Sequence, residues 1–444
     1  MRSPSPQAHA RGTGRRSVGA AWGLAWIVAS VSAPAQEVPP GAWTQWGGPD
    51  RNFVVDSPPL AEGWPEEGPP RIWSRPLGNG HSAILADDGR LFTMYRIGDP
   101  RSREGPWDEE EVVVAIDAAS GETLWEHRYP SPIQDFGRGA GPHSTPLVAG
   151  DRLFTIGSNK RMHAFDKVTG EVAWSRDLVA EMGAPPLSVR PIVKSGYASS
   201  PIAWGDTVVC FVGGPGQSVV AFRQSDGEVV WRSGHFLISG GSPLLIDVDG
   251  EQQMVFFAGS LVAGLDPRDG AVLWAHAHDA GNDFNFSLPL WGEDGILFVS
   301  SAYRAGSRGI RLRRQDRITT TEELWFTSRA KFQFLNAVRI GDWVYGTHGE
   351  SRTAFLVAVD VRTGEVAWRH RGFPQSSLLY ADGKLIVLTE DGELALARVS
   401  PAGVEVLAST ELFATRSWTV PTLVGTTLFA RDRERIVALD LGAE

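Results

Sequence analysis

An all-β fold made of repeated four-stranded antiparallel units is predicted for this 444-residue chain by three observations. First, one spacing recurs five times: a position followed by Gly four residues later and by Trp eight residues later. Second, the composition suits strands and turns, with 50 Gly, 29 Pro and 17 Trp, residues that make turns or fill a pleated, half-buried surface. Third, the two ends of the repeat are incomplete in complementary ways, which points to a closed ring.

The chain opens on a segment of its own. Residues 1–16 carry Arg2, Arg11, Arg15 and Arg16 and no acid, and Ser17 to Ser32 is apolar and small. Ala33-Pro34-Ala35 then supplies a small-x-small cleavage pattern, so residues 1–35 read as a secretory signal peptide. Its 16 apolar residues at ~1.5 Å each fall short of the ~30 Å hydrocarbon core of a bilayer. The processed chain is therefore expected not to span a membrane. Arg15-Arg16 leaves both general and twin-arginine export open. Loss of the leader's four arginines turns 42 basic residues into 38 against 52 acidic ones, and the net charge from −10 into −14. Such an acidic surface argues against nucleic acid as a partner. The single Cys210 rules out an internal disulfide and any metal site built from several thiolates. An exported protein in the periplasm or outside the cell is the expectation.

Residues 36–70 read as an N-terminal arm, and residues 71–442 as the repeat. The five copies run from Asp117 to Gly121 and Trp125, Asp166 to Gly170 and Trp174, Arg223 to Gly227 and Trp231, Asp266 to Gly270 and Trp274, and Asp360 to Gly364 and Trp368. The residues before the first position alternate as on a half-buried strand. Asp accepts backbone N–H groups of the turn, Gly supplies a positive φ, and the next strand delivers a Trp large enough to pack on a neighbouring unit. A second hairpin precedes each of these, as in His143-Ser144-Thr145-Pro146 and Ser199-Ser200-Pro201 followed by Gly-Asp turns. Four strands per repeat make one propeller blade.

Trp73, Trp125, Trp174, Trp231, Trp274, Trp325 and Trp368 are the expected docking residues on outer strands. In the fifth unit Ile310-Arg311-Leu312 replaces the Asp motif, yet Trp325 is kept; the seventh, Leu378 to Leu407, has no Trp. The last unit stops at Ala438-Leu439-Asp440 without a fourth strand, whereas Ile72-Trp73-Ser74 is a fourth strand without its blade. Joining them gives an eight-bladed β-propeller closed by N- and C-terminal strands, and closure removes free edges.

The Ala-x-Asp-x-x-x-Gly-Glu-x-x-Trp repeat resembles that of the pyrroloquinoline-quinone (PQQ) repeat propellers, and Trp43 to Asn52 resembles the opening of many exported members. The resemblance covers roughly residues 71 to 442. It implies one of two function classes: dehydrogenases holding PQQ and calcium on the propeller axis, or non-catalytic relatives similar to the scaffold of the outer-membrane barrel assembly machinery. The repeat itself is structural in both. The cysteine pair of the alcohol dehydrogenases is missing, and no carboxylate cluster marks the blade starts, where calcium would need six to eight oxygen ligands. Axial candidates are polar and mostly neutral: His81, His143, Tyr197, Asn285 and Asn336, with Asp283 as the nearest calcium ligand and Arg190 and Lys194 as anion partners. Small polar residues also crowd an axis simply to bond one another and water. No catalytic residue and no metal is assigned. His276 and His278 stand at same-face spacing but lack a third ligand, and Arg311, Arg313 and Arg314 suit edge protection as well as an anion patch. Glu126 to Gly141 and Arg176 to Gly196 read as long loops on one face; with Phe136 and Pro185-Pro186-Leu187 they form a candidate binding surface. The expected function is an exported, non-catalytic protein-binding or assembly scaffold with an envelope protein or peptide as partner and no cofactor. A divergent PQQ-dependent oxidoreductase is the alternative.

Overall fold

The computed structural model describes residues 42–97, 110–132, 141–186, 196–349 and 354–443. The leader and its boundary, the first residues of the arm, and Asp108, Glu109, Phe136, Leu187, Arg190 and Lys194 lie outside them.

The described strands form eight sheets, each built on four antiparallel strands; seven of these sets follow sequence order, and the eighth borrows its outer strand from the other end of the repeat. Blade 1 runs from its inner strand Leu85–Asp87 to its outer strand Thr123–Pro130, and blade 2 from Leu147–Ala149 to Val172–Asp177. Blade 3 spans Ile202–Trp204 to Val229–Ser233, blade 4 Leu244–Val248 to Val272–Ala277, and blade 5 Leu290–Trp291 to Ile318–Thr327. Blade 6 spans Phe332–Ile340 to Val366–His370, and blade 7 Ser376–Ala381 to Gly403–Glu411. Blade 8 has Thr422–Val424, Thr427–Arg431 and Arg435–Asp440, and takes Arg71–Pro76 as its outer strand, with Trp73 opposite Ala438. The ring is thus closed by the two ends of the repeat. Among the described residues no helix is long and apolar enough to cross a membrane.

The turn chemistry anticipated from the motif is present. Asp117 Oδ1 accepts from the N–H groups of Ala119 and Ser120 at 3.1 and 2.8 Å, and Asp166 and Asp360 repeat the pattern. These bonds, led by those from Ser120 and Thr169, hold the Asp117 and Asp166 carboxyls below their usual range. The glycine is needed twice over: Gly121 has φ +77°, and a Cβ there would stand 2.8 Å from the Trp73 ring. That ring belongs to the preceding blade, and its indole N–H donates to Ala118 O at 2.9 Å. The indoles of Trp125, Trp174, Trp231, Trp325 and Trp368 likewise donate to a backbone carbonyl of the next blade, at 2.8 to 3.2 Å.

Trp274 departs from the expectation. Its indole donates to Gln253 Oε1 of its own blade at 2.7 Å and lies over Gly264 of the adjacent strand. The reason is the degenerate blade 5, which offers no Asp–Gly turn to receive it. There the strands Gly306–Gln315 and Ile318–Thr327 run on to a tip at Asp316-Arg317. Gln253 Nε2 donates to Thr319 Oγ1 at 2.7 Å, and the Arg314 N–H to Asp249 Oδ2 at 2.7 Å. Arg314 therefore serves a blade junction. The long connections also differ from their sequence bounds. Glu126 to Pro130 extend a strand, and Leu178–Met182 form a short helix capped by Asp177.

Candidate functional site

The arm decides what the axis can be. Trp43 pairs with Ala86 on the inner strand of blade 1, and Thr44 O accepts from Val148 N of blade 2. A turn over residues 46–50 follows. The chain then returns along blade 7, where Val54 and Val55 pair in parallel with Tyr380 and Ala381 as a fifth strand. The arm thus threads the middle of the ring, reaching from blades 1 and 2 to blade 7. Phe53 is completely buried, in a cluster with side chains of blades 4 to 7. Arg51 is also buried, and its guanidinium donates to Pro201 O at 3.0 Å and to Gln45 Oε1 at 3.1 Å. Burial pushes the Arg51 guanidinium down to about 9, the cost of removing a charge from water with neutral partners.

Beyond the arm, toward the connections that lead into the inner strands, a cavity of about 130 Å³ remains on the axis. Trp46 closes it from the side of the arm; His81, His143, Ser200, Ser242, Phe284, Phe286, Phe334 and Trp418 are among its walls. His81 and His143 stack at 5.3 Å with an interplanar angle of 16°. Trp418 lies 5.1 Å from His81 and meets Phe334 edge-on at 5.1 Å. The guanidinium of Arg433 sits 5.3 Å from the Trp418 ring and reaches His81 Nε2 at 3.2 Å. Burial, then the neighbouring His143 and Arg433, holds His81 well below the usual imidazole range, so its ring is neutral.

The other predicted axial residues have different places. Tyr197 is buried between blades 2 and 3, and its hydroxyl donates to Phe211 O at 3.0 Å; it is not part of a surface. Asn285 Nδ2 donates to Ala258 O at 2.6 Å, and Asn336 joins blades 6 and 7 through both the N–H and the C=O of Leu378. Asp283 is buried with a left-handed backbone, φ +62°. Alternation along the chain explains the outcome from Phe284 to Phe286: Asn285 turns into the blade, and Phe284 and Phe286 turn into the cavity. His278 and His276 do not meet at a common point. His278 Nε2 lies 2.7 Å from Ser301 Oγ, and His276 lies 3.5 Å from Glu323.

Sequence reasoning missed the buried cations that bind blade to blade. Arg431 donates to Met94 O and Gly78 O, each at 2.8 Å, and so joins blade 8 to blade 1. Arg96 pairs with Glu111 at 3.1 Å with both side chains fully buried, and Glu111 accepts from Tyr129 and from Ser158 of blade 2. Lys160 reaches into blade 3, donating to Val212 O at 3.0 Å; burial pushes its ammonium down to about 7. No local pattern marks such residues, because their partners are backbone carbonyls of a neighbouring blade.

The axial cofactor implied by the repeat can be tested against these side chains. Calcium takes six to eight oxygen ligands, several of them anionic. Among the described residues no carboxylate lines the cavity, and no three His, Cys, Asp or Glu side chains come together as a metal site. The described walls, which are aromatic rings, imidazoles, hydroxyls and the one amide of Gln333, do not supply the anionic donor set for calcium beside a quinone tricarboxylate.

The sequence profile of the family described as outer membrane protein assembly factor BamB matches residues 109–370. BamB of Yersinia pestis is 25% identical over 241 residues, covering 52% of this chain and 56% of that protein. BamB of Shewanella oneidensis is 24% identical over 325 residues, covering 68% and 75%. The match thus spans little more than half the length of the first of these relatives. Among solved structures, quinohemoprotein alcohol dehydrogenase from Comamonas testosteroni aligns with a TM-score of 0.60 at 12% identity over 91% of this chain and 81% of that one. BamB from Moraxella catarrhalis aligns with a TM-score of 0.55 at 14% identity over 83% and 97%. At such identities the likeness to solved structures concerns the fold alone.

Proposed function

This chain belongs to the outer membrane protein assembly factor BamB family of PQQ-repeat propellers, and on that premise we propose that it is an exported, non-catalytic scaffold that binds an envelope protein or peptide. The observation that carries the proposal is the axis. The chain's own arm fills the lower part, with Trp43, Arg51 and Phe53 buried in it, and among the described residues the remaining cavity is walled by rings, hydroxyls and one amide, with no carboxylate. Such a wall suits recognition of a side chain better than redox chemistry. Export rests on the arginine-rich, apolar leader of residues 1–35. The face around the cavity, on which His81 and His143 lie, is the contact surface.

The test is a thermal melt of the purified chain from Gln36 with and without PQQ plus calcium. A ligand present at ~100 times its dissociation constant adds about 2.7 kcal/mol of stability. The scaffold reading expects the same midpoint in both. A clear rise, together with PQQ-dependent dye reduction lost in Asp283→Ala, would overturn it in favour of an oxidoreductase.

A further inference from the structure

Resting on that scaffold reading, we infer that the axial cavity is a receptor for one aromatic side chain of the partner, taken together with the backbone carbonyl beside it. Its walls come from places far apart in the sequence: Trp46 of the arm, His81 before blade 1, Phe284 and Phe286 before blade 5, Phe334 of blade 6 and Trp418 before blade 8. Rings gathered from so many blades are not the packing of one sheet. Trp46, Phe286, Phe334 and Trp418 stay partly exposed, although each would bury more area by closing on its neighbours. The space, about 130 Å³, is of the order that accepts a benzene ring, ~150 Å³ in an apolar cavity.

The polar atoms on the walls select further. Ser200 Oγ accepts from Thr145 N at 3.0 Å, and Ser242 Oγ accepts from Ser200 N at 2.9 Å. Each hydroxyl proton is therefore left to be donated. His81 Nε2 faces a guanidinium N–H, so it is the acceptor of a neutral ring and the proton sits on Nδ1. His81 is only 8% exposed, and Nδ1 has no hydrogen-bond partner among the described residues. A buried donor without a partner is costly and fits a site completed by a ligand. The nearby Arg416 is engaged by Glu390 and Asp391 at 2.8 and 3.3 Å, and Arg433 by His81 and the Trp418 ring, so neither guanidinium is held ready for a carboxylate. These donors, set among rings, match an uncharged group that carries a ring and a carbonyl, which is an aromatic residue within a peptide.

The experiment uses the chain from Gln36 and labelled nine-residue peptides of one neutral sequence, with Phe, Tyr, Leu or Ala at the centre, read by fluorescence anisotropy. The Phe and Tyr peptides are expected to bind at least about tenfold more tightly than the Leu peptide. Ser242→Trp, which fills the cavity, should abolish binding. His81→Phe keeps a ring and removes the donor, and should weaken binding about three- to tenfold, the value of one hydrogen bond. Equal binding of the Phe and Leu peptides, or full binding by Ser242→Trp, would sink the inference. If Ser242→Trp fails to fold, unchanged affinities in both His81→Phe and Ser200→Ala would do the same. The broader reading fails separately: a PQQ-dependent rise in the melt that Ser242→Trp removes would overturn the scaffold and make the cavity a cofactor site. Absent peptide binding with no effect of PQQ overturns the aromatic receptor alone.

Discussion

Two adjacent junctions of the ring solve the same problem in different ways. Between blades 3 and 4, Trp231 reaches across, its ring against Gly270 and its indole N–H on Pro267 O at 3.2 Å. Between blades 4 and 5, Trp274 stays on its own blade, and the crossing is made by Gln253, which accepts from the indole and donates to Thr319. The first junction is apolar area with a few neutral hydrogen bonds, from the Trp231 indole to Pro267 O, from Ser233 Oγ to Gly270 O and from the Trp204 indole to Gln252 Oε1. The second is a chain of polar groups in a buried place, with the hairpin tip of blade 5 drawn toward blade 4 by the Arg314 N–H and Asp249. A repeat can therefore lose its turn and keep its ring, provided the indole finds an acceptor and that acceptor finds its own partner. The junction between blades 7 and 8 is a third solution. There no outer-strand Trp exists, and the arm lies between the blades: Leu60 bridges to Gly442, and Gly68 packs on Thr410.

Four measurements test how far the two junctions differ. The largest effect is expected from Trp231→Ala, which removes a nearly buried ring and should cost about 3–5 kcal/mol in denaturant unfolding. A loss under ~1 kcal/mol would mean that the ring is held by its strands and not by its tryptophans. Gln253→Ala comes next, because it strands the Trp274 indole and the Thr319 hydroxyl together; about 2–3 kcal/mol is expected. The double change Trp274→Phe with Gln253→Leu should recover much of that loss, since it removes the polar partners instead of orphaning them. No recovery in the double variant would show that packing, not hydrogen bonding, joins blades 4 and 5.

Acid gives the third measurement. The turn carboxylates Asp117 and Asp166 lie below their usual range in the folded chain. Their contribution is present above the unfolded value near ~4 and disappears only as pH falls through the folded value. His163 and His278, pushed down to about 3 chiefly by burial, act earlier. The unfolded chain takes up their protons below about 6.5 while the folded chain does not, so stability falls with pH from there toward 3. At pH 5 each costs about 2 kcal/mol. Denaturant midpoints at pH 7 and pH 5 should differ accordingly, and less so in His163→Phe. A midpoint flat over that range would contradict the neutral buried imidazoles. The smallest effect is expected from Asp249→Ala, which frees the exposed Arg314 N–H at the hairpin tip: ~0.5–1 kcal/mol, read by the same unfolding.

The rim of the molecule was open to reading, and the axis was not. The spacing from Asp117 to Gly121 to Trp125 is local chemistry, one turn and one strand, so its recurrence gives blades, their number and their closure through Trp73 and Asp440. The arm illustrates the opposite case. Trp43 to Asn52 stands out as a motif, but its seat on the axis depends on short pairings with Ala86, Val148 and Tyr380, contacts that no local pattern encodes. At the cavity, His81 and His143 could be picked out as polar residues at blade starts. Phe284 and Phe286 could not, because attention to the polar Asp283 and Asn285 chose the wrong parity of the same segment. Arg96, Lys160 and Arg431 carry no local signal at all, because the carbonyls they hold are distant in the chain.

The closing strand also sets an order of events during synthesis. Trp73 is made 365 residues before Ala438, the residue it lies opposite. At ~5–20 residues per second, roughly 20 to 70 s pass between them. For that whole interval the edge of residues 71–76 has no partner of its own, and the arm before it cannot settle beside Tyr380 until blade 7 exists. A segment made before any blade is complete is thus among the last to be seated, and whatever shields a bare strand in the cell has this segment as its longest-waiting client.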